Sequence, residues 1–202
     1  MEIKYSKNKI ELNKELNRLD EFVIDFTSIL NKHKIKYVIV SGYVAILFGR
    51  SRESEDIDII IERINKKTFI KLWSDLQKYF ECIITDDVNN AYDDYLYENL
   101  AIRFSYKDKR IPNIEIKFPK TDVEEHSLNT KIEVNLNNKK LFISSIELQI
   151  SYKLYLGNKG NEKDIEDAKH LYIIFENNLN TELLKQYNKE LEVERLFNKY
   201  IK

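Results

Sequence analysis

Four glycines and two prolines in 202 residues leave this chain few places at which to break. Glycine and proline punctuate secondary structure, so the elements must be long and mostly regular. Apolar spacing sorts them. Residues 9–33 carry Leu12, Leu16, Leu19, Val23, Phe26, Ile29 and Leu30 at helical intervals, which predicts one long amphipathic helix. YVIVSG reads as a short β-branched strand ending at Gly42, YVAILFG as a compact helix stopped at Gly49, DIDIIIE as a strand and KKTFIKLWSDLQKYF as a helix. LAIRFSY and NIEIKF alternate as strands do, on either side of the charged turn YKDKRIP. TDVEEHSL is a short helix, and KIEVNLNNKKLFIS a hairpin turning at Asn137 and Asn138. AYDDYLYEN fits neither period cleanly. From Ser145 the strand signals stop, and three or four helices follow to Lys202. The expected class is α+β: a mixed sheet with helices over residues 1–143, then a helical subdomain over 144–202.

Hydrophobic residues at 43% and aromatics at 12% are enough for a packed core and argue against disorder. Charged residues reach 33%, yet the net charge is −1, so no global basic field announces a nucleic-acid partner. A single cysteine, Cys82, excludes an internal disulfide; its apolar neighbours make it a small core residue. His33, His126 and His170 are scattered without zinc spacing. The N-terminus lacks the apolar run of a signal peptide, and no segment approaches membrane-spanning length. The expectation is a cytoplasmic protein that enters no membrane.

The chemistry concentrates in SGYVAILFGRSRESEDIDIII, residues 41–61. Asp56 and Asp58, two apart on a strand, share a face, with Ile57 and Ile59 opposite. Two carboxylates so close need a shared proton, an arginine such as Arg50 or Arg52, or a divalent metal. Magnesium suits such a pair, because it takes one or two carboxylates and completes its shell with phosphate oxygens and water. The plainer alternative is a solvated pair at a strand end. Upstream, Ser41 and Gly42 end a strand and open a helix, where free N–H groups and a missing Cβ favour a phosphate.

This segment resembles the signature of the nucleotidyltransferase superfamily related to DNA polymerase β, in particular its AbiEii-like and minimal branches. Ser41 and Gly42 fall on the family's glycine pair, Gly49 on its later glycine, Arg52 on its arginine, Ser54 on its threonine, and Asp56 and Asp58 on its metal aspartates. One position departs: Ser41 stands where glycine is usual. The resemblance implies a third carboxylate on a later strand, which IPNIEIKFP supplies as Glu115. It also implies a helical tail in which a lysine precedes a K-D-x-x-D segment, matched by Lys153, Asp164 and Asp167; a plain salt bridge explains those aspartates equally well. The implied catalytic and metal set is Asp56, Asp58 and Glu115 with Mg²⁺ or Mn²⁺, and the implied nucleotide contacts are Ser41, Gly42, Arg52, Ser54 and Lys153. The implied activity is transfer of a nucleoside monophosphate from a triphosphate such as ATP to a hydroxyl. Relatives in these branches modify tRNA ends or partner proteins, some as toxins with a cognate antitoxin. The competing expectation is a non-catalytic nucleotide-binding module that keeps the fold.

Overall fold

The chain opens with a hairpin rather than a helix. In the computed structural model, which describes residues 1–6, 8–54 and 56–201, β1 (Glu2–Ser6) pairs antiparallel with β2 (Lys9–Asn13). Lys202, the last residue of the expected helical tail, lies outside the described residues. The single helix expected over residues 9–33 is therefore corrected. Ile10 and Leu12 point into the core two residues apart, and β2 finds a parallel partner in a much later strand. Helix α1 (Arg18–Lys32) starts only at Asn17, whose side chain accepts from the Asp20 N–H while Asp20 accepts from the Asn17 N–H. That capping box marks a helix start that apolar spacing alone ran past.

The remaining elements follow the expected order. They are β3 (Tyr37–Val40), α2 (Gly42–Leu47), β4 (Asp56–Ile61), α3 (Lys66–Leu76) and β5 (Phe80–Cys82). The ambiguous AYDDYLYEN segment is a short turn, α4 (Val88–Asn90), running into a π-helical stretch, Ala91–Leu96. Then come β6 (Ile102–Tyr106), β7 (Asn113–Lys117), α5 (Asp122–Asn129), β8 (Ile132–Leu136) and β9 (Lys139–Ile143). The β8–β9 turn places Asn137 and Asn138 at φ 47° and 66°, the left-handed pair that a tight hairpin of this kind requires. Four helices close the described chain: α6 (Ile146–Gly157), α7 (Glu162–Phe175), α8 (Thr181–Glu190) and α9 (Glu194–Tyr200).

Among the described residues the strands form one mixed sheet in the order β1-β2-β8-β9-β3-β4-β7-β6-β5. Ile57, Ile59 and Ile61 enter the main core with Phe22 and Phe26 of α1 and with Phe69, Leu72 and Trp73 of α3. Val38 and Ile60, on the opposite face, meet Leu128 of α5 in a small separate cluster. The second face is thus only partly covered, and Asp56 and Asp58 stand on it. Among the described residues no helix is long and apolar enough to cross a membrane.

Candidate active site

Strand register brings the three carboxylates together. β4 and β7 run parallel with Asp58 opposite Glu115 and Asp56 opposite Asn113, so all four side chains rise from one face. β6 adds Arg103 opposite Glu115. The alternate residues, Ile57, Ile59, Ile114 and Ile116, are buried in the core and anchor the row.

Each carboxylate has a protein partner. Asn113 Nδ2 donates to Asp56 Oδ1 at 2.6 Å. Arg103 donates from Nε to Glu115 Oε2 at 2.9 Å, with Nη2 at the same distance. The Ser41 side chain hydrogen-bonds Asp58. Burial pushes the Asp58 carboxyl above its ordinary value; Glu115 and Asp56 push the same way, while Ser41 and Lys117 pull back. A further cation would relieve that strain on the charged form. Ser41 itself sits at φ 67°, ψ −141°, a region that glycine occupies freely and other residues rarely enter.

A cationic cluster adjoins Ser41. A Cβ on Gly42 would lie 3.1 Å to 3.3 Å from the Arg52 guanidinium, so a bare backbone is what lets Arg52 lie there. Arg52 Nη1 bonds Asp167 Oδ2, and Arg50 Nε donates to Asp167 Oδ1 at 2.8 Å. Lys153, 1% exposed, places Nζ 2.9 Å from Asp167 and also bonds Asp164. Arg50, Arg52 and Lys153 thus face two buried carboxylates, an excess of one positive charge. Arg52 Nε has no hydrogen-bond partner among the described residues. Ser54 turns to the backbone, donating to the Asp56 carbonyl at 2.9 Å.

The overall architecture has counterparts among solved structures. An antigenic nucleotidyltransferase-like protein from Paracoccidioides brasiliensis superposes over 90% of this chain and 90% of its own, with a TM-score of 0.57 and 15% identity. The chain has a nucleotidyltransferase-like fold. The lincosamide antibiotic adenylyltransferase LnuA, solved with lincomycin bound, is also similar: 17% identity, 78% of this chain, 98% of that chain, TM-score 0.46. No protein-family model and no curated protein matches the sequence.

Within this nucleotidyltransferase-like fold the oxygen donors of Asp56, Asp58 and Glu115 suit a hard cation such as Mg²⁺ or Mn²⁺. As the side chains stand, no three acidic, histidine or cysteine groups among the described residues are gathered closely enough to hold one. Glu115 would have to exchange Arg103 for the ion. Three residues of the row escaped the sequence reading: Arg103, Asn113 and Lys117. Asn113 and Lys117 follow from the period of two around Glu115 once NIEIK is a strand. Arg103 follows only from the β6–β7 register, which the sequence does not print.

Proposed function

We propose that this chain is a metal-dependent nucleotidyltransferase of the AbiEii-like kind, moving a nucleoside monophosphate from a triphosphate to a hydroxyl acceptor. The observation that carries the reading is the alignment of Asp58 with Glu115 across β4 and β7, beside Asp56, on the sheet face left partly open. In the reaction the acceptor oxygen bonds to the α-phosphorus, the bond from that phosphorus to the bridging oxygen breaks, and pyrophosphate leaves as the hydroxyl proton is released. Bound divalent ions supply charge neutralisation at the attacking and leaving oxygens. Asp56 and Asp58 would hold them, with Glu115 completing the set on the acceptor side.

The chain's own groups divide the remaining work. The Ser41 hydroxyl keeps Asp58 oriented, and Gly42 with Arg52 receives the triphosphate, Arg52 through guanidinium nitrogens that the cluster does not fully use. Lys153 and Arg50 together offset Asp164 and Asp167, which leaves the charge of Arg52 available for phosphate. Ser54 fixes the entry to β4. In this reading residues 1–143 supply the catalytic face and residues 144–202 the helical wall beside it. The acceptor is a tRNA end or a partner protein, with a cognate antitoxin as further partner and the cytoplasm as compartment; the resemblance of residues 41–58 supports these finer terms.

Incubation with each α-labelled nucleoside triphosphate and Mg²⁺, against total RNA and a cell lysate, tests the proposal. Transfer that a chelator abolishes is the expected result. Asp58→Asn should remove transfer while the ligand-free protein melts at the same temperature or higher, since it relieves repulsion with Asp56 and Glu115. A strongly destabilised Asp58→Asn protein would make Asp58 a structural partner instead. A second reading, nucleotide binding without turnover, draws on the Glu115–Arg103 ion pair; it predicts chelator-sensitive binding and no label transfer from any triphosphate.

A further inference from the structure

A cavity of about 190 Å³ opens beside the carboxylate row, between the sheet face and helices α5 and α6. Its walls are mostly apolar: Val40 and Ile60 from the sheet, Val123 from α5, Leu148 and Leu156 from α6, with Tyr152 beside them. Hydrogen-bonding groups interrupt them, Ser41, Asp58 and Ser144 among them. Ser127, 4% exposed, lines the cavity, and its Oγ has no partner among the described residues. Gln149 lines it too, buried, with no side-chain hydrogen bond among the described residues. Lys117 and Glu124 form an ion pair of 2.6 Å on another side.

A buried hydroxyl without a partner costs free energy, and an apolar slot with a few uncommitted polar groups is the usual form of a small-molecule site. Its position says which molecule. Ser41 and Asp58 line the cavity, whereas Asp56, Glu115 and Arg103 do not. The opening therefore lies on the triphosphate side of the proposed site and away from the acceptor side. A dry cavity of about 150 Å³ accepts benzene, so this one takes a single flat heterocycle.

We propose that this cavity holds the nucleobase of the triphosphate, with Gln149 and Ser127 reading its edge. The Gln149 amide offers one donor and one acceptor side by side, the pairing that reads a base edge elsewhere. Tyr152 and the aliphatic walls enclose the ring. The inference rests on the triphosphate site proposed above.

Binding of the four nucleoside triphosphates and of inorganic tripolyphosphate, each with Mg²⁺, separates the two. The parent protein should bind one triphosphate about tenfold more tightly than the others, the worth of one well-placed hydrogen bond, and more tightly than tripolyphosphate. Gln149→Leu should collapse that ranking and leave tripolyphosphate affinity where it was. Ser127→Ala should weaken the preferred triphosphate without lowering the unfolding midpoint, because a hydroxyl without a partner contributes nothing to the empty fold. If tripolyphosphate binds and all four nucleotides merely match it, the base lies elsewhere and the cavity proposal falls alone. If neither variant alters the ranking, or both weaken tripolyphosphate equally, the two side chains do not read a base. If the folded parent binds neither nucleotide nor tripolyphosphate, the triphosphate site itself is refuted and the cavity loses its ligand.

Discussion

Ser41 is the residue at which sequence, backbone and chemistry pull hardest against one another. Its φ of 67° and ψ of −141° suit glycine, and a side chain held there costs roughly 1–3 kcal/mol. The compensation is the hydroxyl, which hydrogen-bonds Asp58. Ser41→Gly and Ser41→Ala both remove that bond, but only the first removes the strain. The glycine variant should be the more stable of the two by about 1 kcal/mol in urea unfolding; equal stabilities would mean the backbone there is relaxed. Both should transfer nucleotide more slowly than the parent. Glu115 separates chemistry from binding in a second way. Glu115→Gln keeps the shape and loses the charge, so Mg²⁺–triphosphate affinity should stay within a few-fold while transfer falls by roughly 10² to 10⁴. Near-normal transfer would leave Glu115 with only its bond to Arg103. Asp56 and Asp58 were legible as a pair because a period of two fixes which residues share a strand face; Glu115 was picked out only by the family resemblance. Asn113 and Arg103 were not legible, since their meaning comes from neighbouring strands.

At the scale of elements, helical spacing and caps do different jobs. The run from Ile10 to Leu30 satisfies a helical period, yet its first residues pair with β8, and only the Asn17–Asp20 box marks where the helix begins. A free strand edge overrides local periodicity, and that edge is supplied more than a hundred residues later. The DIDIII and NIEIK strands were readable for the opposite reason: each carries its own alternation. Helices α6 and α7 meet at a contact that no spacing reveals. A Cβ added to Gly157 would come within 2.4 Å of Ile165 Cγ1 and 3.3 Å of the Ile165 backbone nitrogen. Gly157→Ala must therefore push the helices apart, at a cost of about 1–3 kcal/mol. Adding Ile165→Ala should recover part of it, and a double-mutant cycle measures the coupling. Lys153 on α6 bonds Asp164 and Asp167 on α7, so Gly157→Ala should also weaken triphosphate binding. Additive stabilities in the cycle would show that the two side chains do not meet.

At the scale of the whole molecule, one hydrophobic cluster runs from Ile10 in β2 to Phe197 in α9, and several of the 13 tyrosines are packed into it or against it. Burial pushes the Tyr37 phenol up to about 12. Burial followed by the charge of Glu147 does the same for Tyr5, also to about 12. Tyr43, sealed in the core next to Asp20, is raised well above its ordinary value, first by burial and then by that carboxylate. The sign follows from which state ionises first. Between pH 10 and pH 12 the unfolded chain gives up these protons and the folded chain keeps them, so alkali favours unfolding. The stability these phenols contribute is fully present below about pH 10 and is lost as pH rises through about 12. For the well-buried Tyr37 the loss is up to about 1.4 kcal/mol per pH unit in that window; Tyr5, half exposed to solvent screening, contributes less. Urea midpoints measured from pH 9 to pH 12 should fall as tyrosinate absorbance rises, with the buried phenols ionising only as the fold opens. Tyr37→Phe should flatten the fall between pH 10 and pH 12 and cost about 1–2 kcal/mol at neutral pH, because its hydroxyl bonds the Lys140 carbonyl at 3.4 Å and also meets Thr27, Asn31 and Phe142. If every tyrosine ionised near pH 10 with the protein still folded, the phenols would be open to water and this packing of the core would be wrong.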